Sequence, residues 1–575
     1  MDMAHPSHAR LMDETLVLDL VLGQLPCVGD QGPYLLLEIS GSPLWMPFPW
    51  DFLIPHSGSV FVSFMPDTFW VIVFVTSAHS LCTKGDSLGE ECGNLLSRFD
   101  FDPTYAVCHV GLKCNSVSTF VHGGGLFSFL SGFEEKVLID RVERTMKINI
   151  VNRKFIKPST PTPVNLRTYK LSCLDELNPT MNVVGLLYYP YTDNIGNVIN
   201  NLEKSIAQIL PQFYPFAGRY IKENHSVDCS DQGVEYIEAQ VDRELLEIIG
   251  SGVEPGELND LLPVEVGAAD EANDPVMSVQ ISKFKCGGVA IATTISHRIV
   301  DSSSLGTFLS AWAKASRGDN TEPIIPNFDS AFYFPGENLG ELDFGTIRTR
   351  DPTIVTKRIL FDKKAIANLR ARVSHLYEKS DRPASRVLVV SSFLSEVLIR
   401  CDRKKLGKTR ACFISQAVNI RERTVPPLSK YSCGNLVSLG IVEHSAEETK
   451  SLDFERLVPL LGSTARKAVS NCLKILSNGP DGHKILVNDF AGATDKSHDE
   501  NLNGIWFTDW SKFGFYDNDF GFGKPIWTSV ANIPIKNLII MLNTKENDGI
   551  EAWVHLHEKD MPYFEQDEEI KKLTT

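Results

Sequence analysis

Residues 288–312 read GVAIATTISHRIVDSSSLGTFLSAW. Gly288 to Ile295 is a short apolar run rich in Val, Ile and Thr, which predicts a buried strand. From Asp301 the pattern changes to Asp-Ser-Ser-Ser followed by Leu305, Phe308, Leu309 and Trp312. That apolar period of 3.6 predicts a helix with Asp301 or Ser302 as its N-cap. The reading places His297 at the end of a strand and Asp301 at the start of a helix.

A neutral imidazole, with a reference pKa of about 6.5, can take a proton from an attacking hydroxyl, a service worth about 10² to 10⁴ in rate. His297 is therefore a candidate general base. The Asp301 carboxylate either orients that ring directly or turns away to pin the strand-to-helix turn through an Arg. A buried His beside an ordinary helix cap is the plainer reading, since the chain has 14 His and one His-x-x-x-Asp arises readily by chance.

The chain has 575 residues, 43% hydrophobic and 22% charged, which is ordinary globular composition with room for several cores. A net charge of −16 disfavours nucleic acid or an anionic membrane surface as partner. Twelve Cys without a Cys-x-x-Cys pair predict reduced thiols in the cytosol and no structural metal.

The character changes near Met146. Residues 1–145 hold seven Lys or Arg against seventeen Asp or Glu, so most of the excess negative charge falls there. Their apolar pieces, such as 44–55 and 59–81, are poorly periodic; the latter is cut by Pro66 and Asp67 and falls short of the ~20 residues of a spanning helix. It reads as a buried strand pair or a weak membrane-associated segment. His122-Gly-Gly-Gly125 has no Gly-x-Ser-x-Gly elbow to serve and reads as a turn. Residues 1–145 are expected to be an atypical, dispensable extension, a non-native origin fits them, and Met146 is the expected start of the functional part.

From Met146 the signals sharpen. Lys147–Val151 and Val183–Tyr189 read as strands, and Val198, Leu202, Ile206 and Ile209 mark one face of a helix ended by Pro211. Residues 316–353, rich in Pro, Gly, Asn and Asp, read as a linker. Ile354–Phe361 resumes as a strand, and helices are predicted over 363–373, 391–401 and 452–476, the last interrupted or bent at Pro459. Residues 505–510 and 527–542 supply late strands.

Four motifs, Lys157-Pro-Ser-Thr-Pro-Thr-Pro163, Phe213-Tyr-Pro-Phe-Ala-Gly-Arg219, Ser296-His-Arg-Ile-Val-Asp301 and Asp519-Phe-Gly-Phe-Gly523-Lys-Pro, stand in that order. Together they resemble the plant BAHD acyltransferases, and the likeness covers 146–575. Val418-Asn-Ile-Arg421, Pro426-Pro427 and Gly434-Asn435 resemble its vinorine synthase-like branch of alkaloid and terpenoid acetyltransferases.

The resemblance implies an α/β, chloramphenicol acetyltransferase-like fold of two domains, 146–345 and 346–575, with mixed sheets, flanking helices and a channel between them. It implies transfer of an acyl group, acetyl foremost, from acyl-CoA as co-substrate to a hydroxyl or less often an amine of a hydrophobic plant metabolite. No bound cofactor or metal is implied, and the family is mostly monomeric. Carried over, His297 is the base and Asp301 has an orienting role with Arg421 as partner; Asp519, in a motif that the resemblance places away from the base, reads as a structural fastener and joins the catalytic set only because its loss should lower activity. Phe520, Gly521, Phe522 and Gly523 form a structural motif in which Phe522 stands where the family has Trp, keeping the bulk and losing the indole N–H. The CoA-contacting residues stay unassigned.

Acyl transfer from a thioester needs an activated oxygen, two substrates held together and a stabilised oxyanion, with no enzyme nucleophile. A peptide-assembly condensation domain usually has a second His where Ser296 stands. A non-catalytic binding protein on the same fold is the alternative from another class.

Overall fold

The computed structural model describes residues 146–574 apart from short stretches, the longest being 340–351, together with seven strands between Leu16 and Gly123. Leu16–Asp19, Ser59–Met65, Thr68–Val75, Ala106–Lys113 and Ser116–Gly123 form an antiparallel sheet, and Tyr34–Ile39 pairs with Ser42–Pro47. The 59–81 piece thus contains a strand pair. His122 lies in a strand that ends at Gly123, while Gly124 and Gly125 lie outside the described residues.

From Met146 the architecture rests on two six-stranded mixed sheets. In the first, Val289–Ser296 is an interior strand buried at all eight positions, as an unbroken β-branched run requires. It lies antiparallel to Asn182–Tyr189 on one side and to Met277–Phe284 on the other. Val234–Val241 and the exposed edge strand Ile148–Ile156 complete that side. Helix Ser302–Ser316 packs on helix Ile195–Ile209, and the Trp312 indole N–H joins them through Leu202 O and Ser205 Oγ, both at 3.0 Å. Phe213, Phe216 and Phe308 lie fully buried beside them, so the aromatic turn of 213–219 is core.

The second sheet runs, edge to edge, through Ile354–Phe361, Ile550–His557, Leu538–Asn543, Leu502–Asp509, Ala411–Asn419 and Val437–His444. Helices Arg386–Leu406 and Phe454–Ile475 bury Phe393, Leu394, Leu457 and Leu461 in its core. The second helix runs without interruption through Pro459. Helix Lys484–Ser497 packs Ala493 with Phe413 and Leu439.

One prediction changes in substance. Residues 527–542 are two strands in different sheets. Leu538–Asn543 belongs to the second, but Trp527–Ser529 pairs with Asn182–Tyr189 and ends the first. Trp510, Phe515, Phe520 and Val530 likewise sit in the first core. The chain after residue 346 therefore builds part of both layers. No helix among the described residues is long and apolar enough to cross a membrane.

Candidate active site

His297 follows the buried strand directly, and its N–H bonds Met181 O at 2.7 Å where the neighbouring strand begins. Ser296, Arg298 and Ile299 are buried, yet His297 keeps part of its surface accessible. An imidazole in so enclosed a place loses solvation of its charged form, and burial lowers its pKa from 6.5. At neutral pH the ring is neutral.

Asn435 sets the tautomer. Its amide nitrogen donates to Asp175 Oδ1 (2.9 Å) and to His297 O (2.7 Å), so both N–H groups are engaged. The amide oxygen therefore faces His297 Nδ1, 2.9 Å away, and Nδ1 carries the proton. Nε2 is left with its lone pair, as a base requires.

Asp175 anchors Asn435 in turn. It accepts Asn435 N–H at 2.8 Å, and its other oxygen accepts Ser172 N–H and Oγ–H at 2.9 and 2.6 Å. Burial raises its pKa to about 6 against those bonds. Sequence reading had Asn435 only as part of a family pattern and passed over Asp175. The Ser172-x-x-Asp175 capping box of the short helix Cys173–Glu176 was the available signal, and it marks a helix start rather than a partner of His297.

Asp301 turns away from the imidazole. It caps helix Ser302–Ser316 through Ser304 N–H and receives a two-pronged ion pair from Arg421, at 2.8 and 3.0 Å. Leu436 N–H adds a bond at 3.2 Å, and Arg421 also donates to Ser432 O and Gly434 O. Both charges are nearly inaccessible, with side chains 7% and 2% exposed, so their matched forks offset the loss of water. Gly434, at φ +135°, has no room for a Cβ, which would meet Ser330 Cβ at 2.9 Å. Of the two roles open to Asp301, the geometry gives the one that pins the turn.

Asp519 is not with them. Its Oδ1 accepts Gly521 and Gly523 N–H at 2.8 and 2.9 Å, closing a turn whose glycines sit at φ +102° and +100°. Its carbonyl and that of Phe520 receive Arg317 Nη1 and Ser316 Oγ, beyond the last turn of helix Ser302–Ser316. Fifteen helical residues span about 22 Å, so Asp519 stands at the opposite end of the helix from Asp301 and His297. That position and these contacts are those of the structural fastener the sequence reading expected, and on that ground Asp519 is set apart from the residues around His297. Phe520 packs on Trp312 (ring centroids 4.7 Å apart) and Phe522 on Tyr189 (4.8 Å), so the Phe at 522 is used as bulk.

Cysteine chemistry is absent from this setting. Burial raises the Cys433 thiol, near Arg421 and Asp301, to about 12. The site offers a neutral imidazole with an open Nε2 and no competing thiolate.

A Transferase family model matches residues 146–571. The chain belongs to the BAHD acyltransferase family. It is 40% identical over 433 residues to the pelargonidin 3-O-(6-caffeoylglucoside) 5-O-(6-O-malonylglucoside) 4'''-malonyltransferase of Salvia splendens, covering 74% of this chain and 99% of that protein. It is 36% identical over 420 residues to vinorine synthase of Rauvolfia serpentina, covering 72% and 94%. The crystal structure of vinorine synthase matches with a TM-score of 0.62 at 34% identity, over 74% of this chain and 98% of that one. TRI101 of F. sporotrichioides, complexed with coenzyme A and T-2, shares the fold at TM-score 0.53 and 17% identity, over 71% and 98%. The chain is thus an acyltransferase of the BAHD family with the mixed α/β fold of these enzymes.

Proposed function

We propose that the enzyme moves an acyl group, acetyl foremost, from acyl-CoA to a hydroxyl of a plant specialised metabolite, with His297 as general base. The observation that carries this reading is the Asn435-fixed tautomer, which leaves Nε2 of a neutral, partly accessible imidazole free to take a proton. A channel between the two layers fits that accessible surface at an otherwise buried position.

The acceptor hydroxyl gives its proton to Nε2 as its oxygen bonds to the thioester carbon. The tetrahedral intermediate then expels the CoA thiolate, which takes the proton back from the imidazolium and leaves as free thiol. No protein nucleophile is required, because the thioester is already activated. Asp301, Arg421 and Asp519 hold the frame.

Acetyl transfer is supported by relatives named for it, among them stemmadenine O-acetyltransferase at 35% identity. Residues 1–145 are proposed to be dispensable, since the family match begins at 146 and the 433 residues matched to the Salvia splendens relative cover 99% of it.

The test is release of CoA thiol from acetyl-CoA with a panel of plant alcohols, for the wild type and His297→Ala. Acceptor-dependent release that drops by at least about 10² in the variant is the expected result. Equal rates in the two proteins overturn the assignment.

A further inference from the structure

Asp175 is a fully buried carboxylate held by uncharged donors. Its Oδ1 takes both N–H groups offered by Asn435, backbone and amide, and its Oδ2 takes Ser172 N–H and Oγ–H. No cation pairs with it among the described residues, and Arg298, next to the base in the chain, gives its Nη1 to Glu176 O instead, at 3.0 Å. A charge held in this way is solvated by dipoles and cancelled by none, so its field reaches its neighbours. Burial first and this charge second raise the pKa of the Tyr169 hydroxyl; for the Cys173 thiol, burial is followed by Glu337 and Asp175.

On the other side of the Asn435 amide stands the base. Asp175 Oδ1 and His297 Nδ1 are joined through that one amide by two hydrogen bonds of 2.9 Å each, which keeps them within about 8 Å. At an effective dielectric constant of about 20, a unit charge at that separation changes the proton affinity of an imidazole by about tenfold or more. Asp301 also faces the ring and, against the larger effect of burial, favours its charged form, but Arg421 matches that carboxylate at 2.8 and 3.0 Å. Cys433, beside the pair, is a neutral thiol, and the Glu176 carboxylate is turned to Leu339 N–H. Of these groups, Asp175 is the one that combines an unmatched charge with an unbroken run of hydrogen bonds to the ring.

We propose that Asp175 is a positioning residue whose negative charge, acting through the Asn435 amide, stabilises the imidazolium that forms when Nε2 takes the acceptor's proton. No proton passes along the run: Nδ1–H stays on the ring, the amide keeps its hydrogens, and the carboxylate remains ionised while the charge develops. The effect on turnover rests on the acyl-transfer reading above; the effect on the ring does not.

Two measurements on the full chain separate them. Histidine is labelled with 13C at Cε1, and the His297 signal, identified by its loss in His297→Ala, is titrated in the wild type and in Asp175→Asn, which keeps the shape and removes the charge. The variant's imidazole is expected to titrate lower by about one pH unit or more. With acetyl-CoA and an accepted alcohol at about pH 8, its kcat is expected to drop by about tenfold or more, with KM for acetyl-CoA little changed. An imidazole that titrates at the same pH in both proteins overturns the proposal even where kcat drops, because lost support for Asn435 alone would lower kcat. An unchanged kcat overturns it as well. A lowered imidazole titration in a protein that acylates no alcohol removes the acyl-transfer reading and supports the action of Asp175 on the ring. If Asp175→Asn does not fold, the wild-type curve decides: Asp175 takes its proton at about pH 6, so the His297 titration is expected to be broader than that of one isolated group, and a one-proton curve overturns the proposal.

Discussion

Helix Ser302–Ser316 has an aspartate motif at each end, and the two ends differ in almost everything but the residue type. At the N-terminal end Asp301 is buried, charge-paired with Arg421 and one turn from a titratable base. At the C-terminal end Asp519 closes a partly exposed glycine turn through backbone N–H bonds alone. Both aspartates fasten; neither touches the reacting atoms. Proximity to an open imidazole lone pair separates the end proposed as catalytic from the structural one, and a motif's letters do not carry that information.

The sharpest way to break this contrast is Arg421→Met. It strands Asp301 without its cation and is expected to lower stability by about 3–5 kcal/mol, measured by urea unfolding. A loss below about 1 kcal/mol would mean the pair is not the fastener described. Next, Asn435→Ala frees the His297 ring and unfixes its tautomer; kcat should drop on the order of 10², with KM little changed. At the other end Asp519→Ala removes two backbone bonds to a carboxylate, for about 2 kcal/mol of stability, with kcat per folded molecule unchanged. A large drop in that kcat would return Asp519 to the chemistry.

Acid should act on the N-terminal end. His297, its pKa lowered by burial, loses its base function as pH falls through a value below about 6.5. Asp175, raised to about 6, gains a proton in the same direction and loses the charge that strengthens its bonds from Asn435. With both groups titrating, kcat/KM should fall by more than about tenfold per pH unit on the acid side. The stability effects oppose each other: His297 loses stability as pH falls, because its unfolded form takes the proton first, whereas protonated Asp175 gains it. A slope of one would leave Asp175 out of the pH profile. The smallest effect is Phe522→Trp, within about 1.5 kcal/mol, since an aromatic already fills the space against Tyr189.

The strand and helix around His297 were legible to within a residue, as were Ile354–Phe361 and helix Lys363–Arg372, because local periodicity decides them. The Asp301 cap was legible for the same reason. Its pairing with Arg421 came from family likeness, since 120 residues separate the two. The Asp175–Asn435 contact bridges 260 residues and involves a side-chain amide with no sequence signature, so nothing in the pattern pointed to it. Residues 527–542 read as late strands of the second half; that Trp527–Ser529 joins the first sheet was not legible, because three residues suffice to add a strand to an existing edge and are far too few to show a period.

That short strand has a consequence for how the protein is made. The first sheet ends on Trp527–Ser529, so on the ribosome Asn182–Tyr189 and Val289–Ser296 exist long before their last neighbour is translated. At roughly 5–20 residues per second, the 231 residues from Ser296 to Trp527 take about 10 to 50 s. Through that interval the nascent chain carries an open β edge at Asn182–Tyr189, one that a chaperone must shield or a neighbouring nascent chain can capture.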